Sequence, residues 1–198
     1  MFSQALMVSL RILAFRAGPQ DFPYSPQLTQ VIAPLAVAAN YLVFSQVLPV
    51  AMSLAMALTA VAGIALVTRG LLRARQVEAR FNQTLNALLA TTTLLTLLLI
   101  PTFAQLAPKL QELAQNPGLM NNPEVLQLPQ GAAFLMNLLN VWNFAVTTSI
   151  FRQAANARLG LGLLFAVCAA LSVAFLVIVS GSFAAVLFGP HPPPAVGP

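Results

Sequence analysis

The chain has 198 residues, of which 59% are hydrophobic and only 7% are charged. A soluble domain carries roughly a quarter charged residues, so this composition excludes an ordinary water-soluble globular fold and indicates that lipid solvates much of the surface. The formal net charge of +5 comes from arginines beside apolar segments, a placement that indicates contact with anionic lipid headgroups rather than with nucleic acid.

Eight of the nine basic residues are arginines, and they fall in three segments. The first segment carries Arg11 and Arg16, the second, called here the basic loop, carries Arg69, Arg73, Arg75 and Arg80, and the third carries Arg152 and Arg158. Cytoplasmic loops of multi-pass proteins are enriched in arginine and lysine, so all three segments are predicted to lie on the cytoplasmic side. The basic loop is predicted to anchor the chain to headgroups, with docking of an acidic partner as the alternative.

The N-terminal segment predicts a short interfacial helix over residues 2–17. It lacks the pattern of a secretory signal, because Arg11 interrupts the apolar run and no small-x-small cleavage site follows. After it, Asp21 to Pro26 predict a turn into the first span, in which Ser25 caps a helix and Pro26 takes the first helical position. Residues 1–27 therefore precede the spanning part.

Five spans follow, and they predict an all-α polytopic transmembrane bundle over residues 28–188. The uncharged run 28–68 holds about 41 residues, or about 61 Å of helix, which is twice the thickness of a hydrocarbon core. It is therefore predicted to be a hairpin that breaks at Pro49. The predicted spans are about 28–47, 50–68, 84–106, 132–151 and 160–187. This count places the N-terminus in the cytoplasm and the C-terminus outside.

The sequence also predicts the segments outside the membrane. Pro101 is predicted to kink the third span or to mark its last turn. The polar segment 108–131 is predicted to be an outer loop, in which Pro108 begins a short surface helix that stops at Asn116. Residues 189–198 are predicted to be a disordered proline-rich tail.

Small residues recur at every fourth position on two spans. One row lies on the second span and the other on the fifth: Ala51, Ala55, Thr59 and Gly63; Gly162, Ala166, Ala170 and Ala174. Small side chains at this spacing let helix backbones approach closely, which drives helix association in lipid. The rows are predicted packing faces, either within the chain or between subunits, although an alanine-rich chain also produces such rows by chance.

Asn137, Asn140 and Asn143 form a polar stripe on the fourth span. Their spacing places them on one side of a helix, and unpaired amides in hydrocarbon cost several kcal/mol, so they are predicted to face protein or water. The first interpretation is hydrogen bonding to the third span. The acceptors or donors there are Asn86, Thr91, Thr92 and Thr93. The alternative is a lining for a polar ligand or a permeation path.

Nothing in the sequence predicts catalysis or a cofactor. It contains no H-E-x-x-H, G-x-S-x-G or P-loop motif. Cys168 and His191 each stand alone, so neither a disulfide nor a metal cluster is expected. No charged residue lies in the predicted span cores, which argues against an ion-coupled pump but allows an amide-lined pore.

Five spans, a cytoplasmic N-terminus and a short outer tail resemble the Yip1-like family of small membrane proteins. The segment from Asp21 to Pro26 (Asp-Phe-Pro-Tyr-Ser-Pro) is similar to that family's Asp-Leu-Tyr-Gly-Pro signature before the first span, although Pro23 intervenes and no glycine precedes Pro26. The resemblance implies a non-enzymatic protein that acts through partners or on bilayer organisation; eukaryotic members form hetero-oligomers and contact small GTPases in vesicle traffic. The arginine and alanine bias indicates a bacterial inner membrane.

Two functions are therefore expected. The first is a structural or interaction protein that self-associates or docks membrane-protein partners through its small-residue rows. The second is a small permease or channel component with an Asn-lined path.

Overall fold

A computed structural model describes residues 2–116, 118 and 129–188. These residues form six helices and no strand. The helices are α1 (Phe2–Leu13), α2 (Pro26–Phe44), α3 (Val50–Ala74), α4 (Phe81–Gln115), α5 (Gln130–Ala154) and α6 (Leu159–Phe188), with 3-10 turns at Pro19–Asp21 and Glu78–Arg80. Helices α2 to α6 are long and apolar enough to cross a membrane. The predicted all-α class with five spanning helices is confirmed, and the chain is a multi-pass membrane protein. The predicted proline-rich tail, with His191, lies outside the described residues, as do residues 117 and 119–128 of the predicted outer loop.

Helices α2 and α3 form a hairpin. The Ser25 hydroxyl accepts a hydrogen bond of 3.3 Å from the N–H of Leu28, and Pro26 occupies the first turn of α2. This arrangement satisfies one of the free N–H groups at the helix start, as a serine cap does. The next helix starts at Val50, directly after Pro49. Pro49 therefore separates the two helices, because proline fits the start of a helix better than its interior.

Helix α4 is longer than the span expected at 84–106. It continues through Pro101 and Pro108 as one helix, so the expected helix end near Pro101 and the separate surface helix from Pro108 are corrected. Its far end is held in place, because Gln111 Nε2 donates a hydrogen bond of 2.6 Å to the carbonyl oxygen of Gln46 in the α2–α3 turn. Gln46 Nε2 in turn donates to the carbonyl oxygen of Ile100, at 3.4 Å. These bonds join the far half of α4 to the α2–α3 turn.

The helices pack into one bundle, in which α3 and α6 make the most extensive pair. Helix α4 contacts α2, α3 and α5, and α6 closes the bundle between α3 and α5. The largest fully buried apolar side chains are Ile12, Phe22, Leu72, Leu89, Leu106, Val146, Ile150 and Phe151. Most of α6 remains exposed, as expected of a helix whose outer face contacts lipid.

Helix α1 packs against α4 and α5. Phe2 and Leu6 line an apolar groove together with Leu97, which lies near the middle of α4. At the other end of α1, the indole of Trp142 at the midpoint of α5 donates to the carbonyl oxygen of Leu13. The helix ends at Leu13, earlier than the predicted end at residue 17. Its interfacial position stays a prediction.

Helices α1, α3 and α5 end in the same way. A residue with left-handed backbone follows each of them: Phe15, Gln76 and Asn156, with φ of 57°, 56° and 48°. The N–H of the next residue then bonds a carbonyl oxygen five positions back, at 2.8 to 2.9 Å: the pairs are Arg16 and Arg11, Val77 and Leu72, and Ala157 and Arg152. This is the Schellman motif, which satisfies carbonyl groups at a helix end and normally uses glycine at the left-handed position.

Candidate functional site

The two small-residue rows divide between packing and a cavity. On α3, Gly63 is buried, and a Cβ added there would lie 3.4 Å from Leu176 Cδ1 of α6. On α6, Gly162 and Ala166 are buried and Ala170 and Ala174 are exposed; the last three residues of the row line a cavity. The other residues of the α3 row are half-buried: Ala51, Ala55 and Thr59. The buried members therefore pack within the chain.

Gly162 lies at a close approach of α5 and α6. A Cβ added at Gly162 would lie 2.8 Å from Arg152 Cβ and 3.0 Å from the carbonyl oxygen of Thr148. Both atoms belong to rigid parts of α5, so no larger residue fits without separating the helices. The two helices are therefore held together near the short connection between them.

The central cavity lies among α2, α3, α4, α5 and α6 and has a volume of about 400 Å³. Most of its wall is apolar. Its polar residues come from four helices: Asn40 from α2, Thr68 from α3, Thr92 from α4, and Asn140, Asn143 and Thr147 from α5. None of the described residues that line it carries a charge. Such a cavity, mostly apolar with a few convergent polar groups, is typical of a small-molecule site.

Two residues that line the cavity each carry an oxygen atom without a hydrogen-bond partner within the described residues. The atoms are Asn143 Oδ1 and Thr68 Oγ1, and both are buried. A buried polar atom without a partner costs about 1–3 kcal/mol, so these atoms favour a bound molecule that supplies one. The oxygen of Asn143 can only accept a hydrogen bond, whereas the Thr68 hydroxyl can donate or accept.

The asparagine stripe does not bond to the third span in the expected way. Asn137 and Asn140 donate to carbonyl oxygens of their own helix, at 2.9 and 2.8 Å, and Asn86 bonds Thr29 of α2 at 2.7 Å. The hydroxyls of Thr91 and Thr93 likewise bond carbonyls of α4. The expected bonds of Asn137 and Asn140 to α4 are therefore corrected: an amide reaches the carbonyl four residues earlier more easily than a neighbouring helix.

The stripe also divides between two environments. Asn140 and Asn143 line the central cavity and Asn137 does not, although Asn137 and Asn140 are both exposed. Each step of three residues turns the helix by about 300°, so the first and last asparagines of the stripe are about 120° apart. This rotation carries Asn137 away from the cavity.

In the basic loop, Arg80 has a structural role. Its guanidinium donates to the carbonyl oxygens of Gln153 and Ala154, at 3.3 and 3.1 Å, and so caps the end of α5. A cation there complements the negative end of the helix dipole. Arg73 forms a 3.5 Å ion pair with Glu78; both side chains are exposed, so the pair adds little stability. The remaining arginines of the loop, Arg69 and Arg75, are exposed.

The second and third arginine-bearing segments, and the 3-10 turn that follows the first, meet at one end of the bundle, called here the basic end. Arg80 contacts the end of α5, and Gln20, in the 3-10 turn after Arg16, donates from Nε2 to Gln153 Oε1 at 3.1 Å. The only described lysine, Lys109, pairs with Glu112 at 2.8 Å on the part of α4 that contacts the α2–α3 turn. The positive charge is therefore concentrated at the end opposite that turn.

Asn40 and Thr68 were not predicted as site residues. Each is an isolated polar residue in an apolar helix, and only the packing of five helices brings them to the same cavity. Polar residues within an apolar span were the available signal. No group of three or more His, Cys, Asp or Glu in the described part of the chain is placed to hold a metal ion. Comparisons with protein-family models, curated proteins and solved structures find no match to this chain.

Proposed function

We propose that this chain is a non-enzymatic membrane protein that binds a small uncharged molecule in its central cavity, as a permease or solute-binding component. The observation that carries the proposal is the convergence of neutral polar groups from four helices on one cavity of about 400 Å³. Two of those groups, Asn143 Oδ1 and Thr68 Oγ1, are buried without partners.

The lining defines the class of ligand. A charged ligand in an apolar cavity would need a compensating charge, and the described lining offers none. Asn143 Oδ1 accepts hydrogen bonds only, so the ligand carries a donor. Phe44, Val173 and Val177 form apolar wall, so the ligand also has an apolar part. Alcohols and amides with a hydrocarbon portion meet these requirements.

The binding test uses probes of one shape and different chemistry. Benzyl alcohol has a donor, toluene has none, and benzoate is charged. We expect benzyl alcohol to raise the melting temperature of the purified protein more than the other two do. Asn143→Leu should remove this preference, whereas the matched control Asn137→Leu should keep it because Asn137 lies outside the cavity. Equal stabilisation by all three probes, or equal effects of the two variants, would reject the proposal.

A flux assay separates transport from binding alone. In proteoliposomes we expect the wild-type protein to accelerate equilibration of a small polar amide, such as radiolabelled acetamide, across the bilayer. The change Asn143→Leu should slow this equilibration and Asn137→Leu should not. Binding without accelerated equilibration would assign the cavity to a solute-binding role and exclude the permease.

We place the basic end in the cytoplasm, with the N-terminus on that side and the C-terminus outside, in the inner membrane of a bacterium. The meeting of the second and third arginine-bearing segments at one end supports this orientation. In a Cys168→Ser background, an impermeant maleimide added to intact spheroplasts should label Gln115→Cys and spare Gln76→Cys. Labelling with the opposite preference would reverse the orientation.

A second candidate is an interaction protein, as the Yip1-like resemblance implies. The observation that favours it is the exposure of Asn137 within a membrane-length helix. An amide that faces hydrocarbon is unfavourable, so a second copy or a partner protein against α5 would stabilise it. Crosslinking from Asn137→Cys in native membranes, in the Cys168→Ser background, tests this face. A specific crosslinked partner supports it, and a chain that stays monomeric and uncrosslinked rejects it.

A further inference from the structure

A second cavity of about 440 Å³, called here the α5–α6 groove, lies between α5 and the start of α6, near the basic end. Phe144 of α5 and Leu163 of α6 form its walls, and Phe15 forms its third side. Phe15 and Leu163 are 47% and 46% exposed, so the groove is open to the surface of the bundle. An apolar groove on the surface of a membrane-spanning bundle is accessible to lipid chains.

The end of the groove nearest the α5–α6 connection favours an anion. Arg152 of the last turn of α5 lines it, and neither ion pair among the described residues involves this arginine. Leu159, the first residue of α6, also lines it, and the first turn of α6 contains no acidic residue. The N–H groups at a helix start lack acceptors within the helix and carry partial positive charge. A cation and a helix N-terminus thus lie together.

A buried hydroxyl lies deeper in the same groove. Thr148 is 6% exposed, and its Oγ1 has no hydrogen-bond partner within the described residues. Thr148 precedes Arg152 by one helical turn, or about 6 Å along α5. In a phospholipid the ester carbonyls lie between the phosphate and the acyl chains. Along the groove, Arg152 therefore corresponds to the phosphate, Thr148 to an ester carbonyl and the apolar walls to an acyl chain.

We propose that the α5–α6 groove binds one anionic phospholipid. The phosphate lies between Arg152 and the start of α6, the Thr148 hydroxyl donates to an ester carbonyl, and an acyl chain runs along Phe15, Phe144 and Leu163. No described residue that lines the groove is acidic, so the site favours a headgroup with net negative charge. This site shares Phe144 with the central cavity, but its polar residues, Arg152 and Thr148, do not line that cavity.

The test is a lipid titration of the delipidated, full-length protein, followed by native mass spectrometry and thermal unfolding. The probes are dioleoyl phosphatidylglycerol, dioleoyl phosphatidylcholine and glycerol 3-phosphate. We expect one phosphatidylglycerol to bind and to raise the melting temperature. Arg152→Gln should weaken that binding about 5-fold to 10-fold. The matched control Arg75→Gln, at an exposed arginine outside the groove, should leave it unchanged.

The variant Thr148→Val tests the role of the hydroxyl. It keeps the shape of the side chain but removes the hydroxyl, so it should weaken binding of both phospholipids about 2-fold to 5-fold. Unchanged melting in detergent alone would demonstrate that each variant folds. If Arg152→Gln and Arg75→Gln weakened phosphatidylglycerol binding equally, the binding would depend on overall surface charge and the proposal would be overturned. Equal stabilisation by glycerol 3-phosphate would also overturn it, since the site would then bind a soluble phosphate ester.

Discussion

The indole Nε1 of Trp142 donates a hydrogen bond of 3.1 Å to the carbonyl oxygen of Leu13, and this bond joins the end of α1 to the middle of α5. The ring of Phe15 lies against the same indole, with centroids 5.5 Å apart and planes tilted by 59°. The left-handed backbone of Phe15 directs the chain back toward the basic end immediately after this contact. One aromatic side chain of α5 therefore fixes both the end of α1 and the turn that follows it.

We expect Trp142→Phe to loosen α1 without unfolding the bundle. Phenylalanine preserves a ring against Phe15 but has no N–H donor, so the bond to Leu13 is lost. Trp142 is 43% exposed, and one hydrogen bond contributes about 1 kcal/mol, so overall stability should change little. Hydrogen–deuterium exchange in peptides that cover residues 2–13 should accelerate, while peptides from α3 remain as in the wild type. Unaltered exchange in α1 would contradict the proposed role of this bond.

We expect Asn86→Leu to destabilise the protein by about 1–3 kcal/mol. Asn86 is fully buried, and its Oδ1 accepts a 2.7 Å hydrogen bond from Thr29 Oγ1 of α2. Leucine would leave the Thr29 hydroxyl without this acceptor and remove a link between α2 and α4. The matched control Asn137→Leu alters an exposed amide that bonds only its own helix. Thermal unfolding in detergent measures both, and a similar loss in the two variants would refute this assignment.

We expect Gly162→Ala and Gly70→Ala to have opposite effects. A methyl group at Gly162 would collide with Arg152 Cβ and with the backbone of Thr148, so α5 and α6 would have to separate. A methyl group at Gly70 meets no atom within 4 Å, and alanine favours a helix over glycine by about 1 kcal/mol. Melting temperature should fall for Gly162→Ala and rise slightly for Gly70→Ala. Stabilisation by Gly162→Ala would show that the contact is looser than described.

We expect Gln76→Gly to stabilise the end of α3. Gln76 has a φ of 56°, a conformation that costs a residue with a side chain about 1 kcal/mol and costs glycine almost nothing. The gain should be about 0.5–1 kcal/mol after the larger entropy of glycine in the unfolded chain is included. Gln76→Ala retains the Cβ and serves as the control, with little change expected. Chemical unfolding that ranks alanine above glycine would exclude this backbone conformation.

Sequence reasoning succeeded where one physical limit decides the outcome. The uncharged run 28–68 is too long for one helix across a hydrocarbon core, so the α2–α3 hairpin followed from length alone. Pro49 was recognisable as its break because proline disfavours a helix interior. The rule did not predict that α4 continues past Pro101 and Pro108 to Gln115. Its far half contacts the α2–α3 turn through Gln111 and Gln46, and local propensity does not encode such tertiary contacts.

The site was only partly predictable for a similar reason. Asn140 and Asn143 stood out because they cluster on one helix, and both line the central cavity. Asn40 and Thr68 do not cluster along the chain, and their meeting depends on how five helices are arranged. Residue spacing along one helix predicts which residues share a face. Predicting a cavity between helices also requires their crossing angles and axial offsets, which sequence periodicity does not give.

Helix α4 connects the central cavity to the α2–α3 turn, because it is one continuous helix from the basic end to that turn. Thr92 lines the central cavity, and Gln111 lies about 28 Å farther along the same helix. A rotation of about 5° around Thr92 would displace Gln111 by about 2–3 Å. That displacement is comparable to the 2.6 Å length of its hydrogen bond to Gln46. If α4 moved as a rigid rod, a molecule that displaced it in the cavity would strain its contact with the α2–α3 turn.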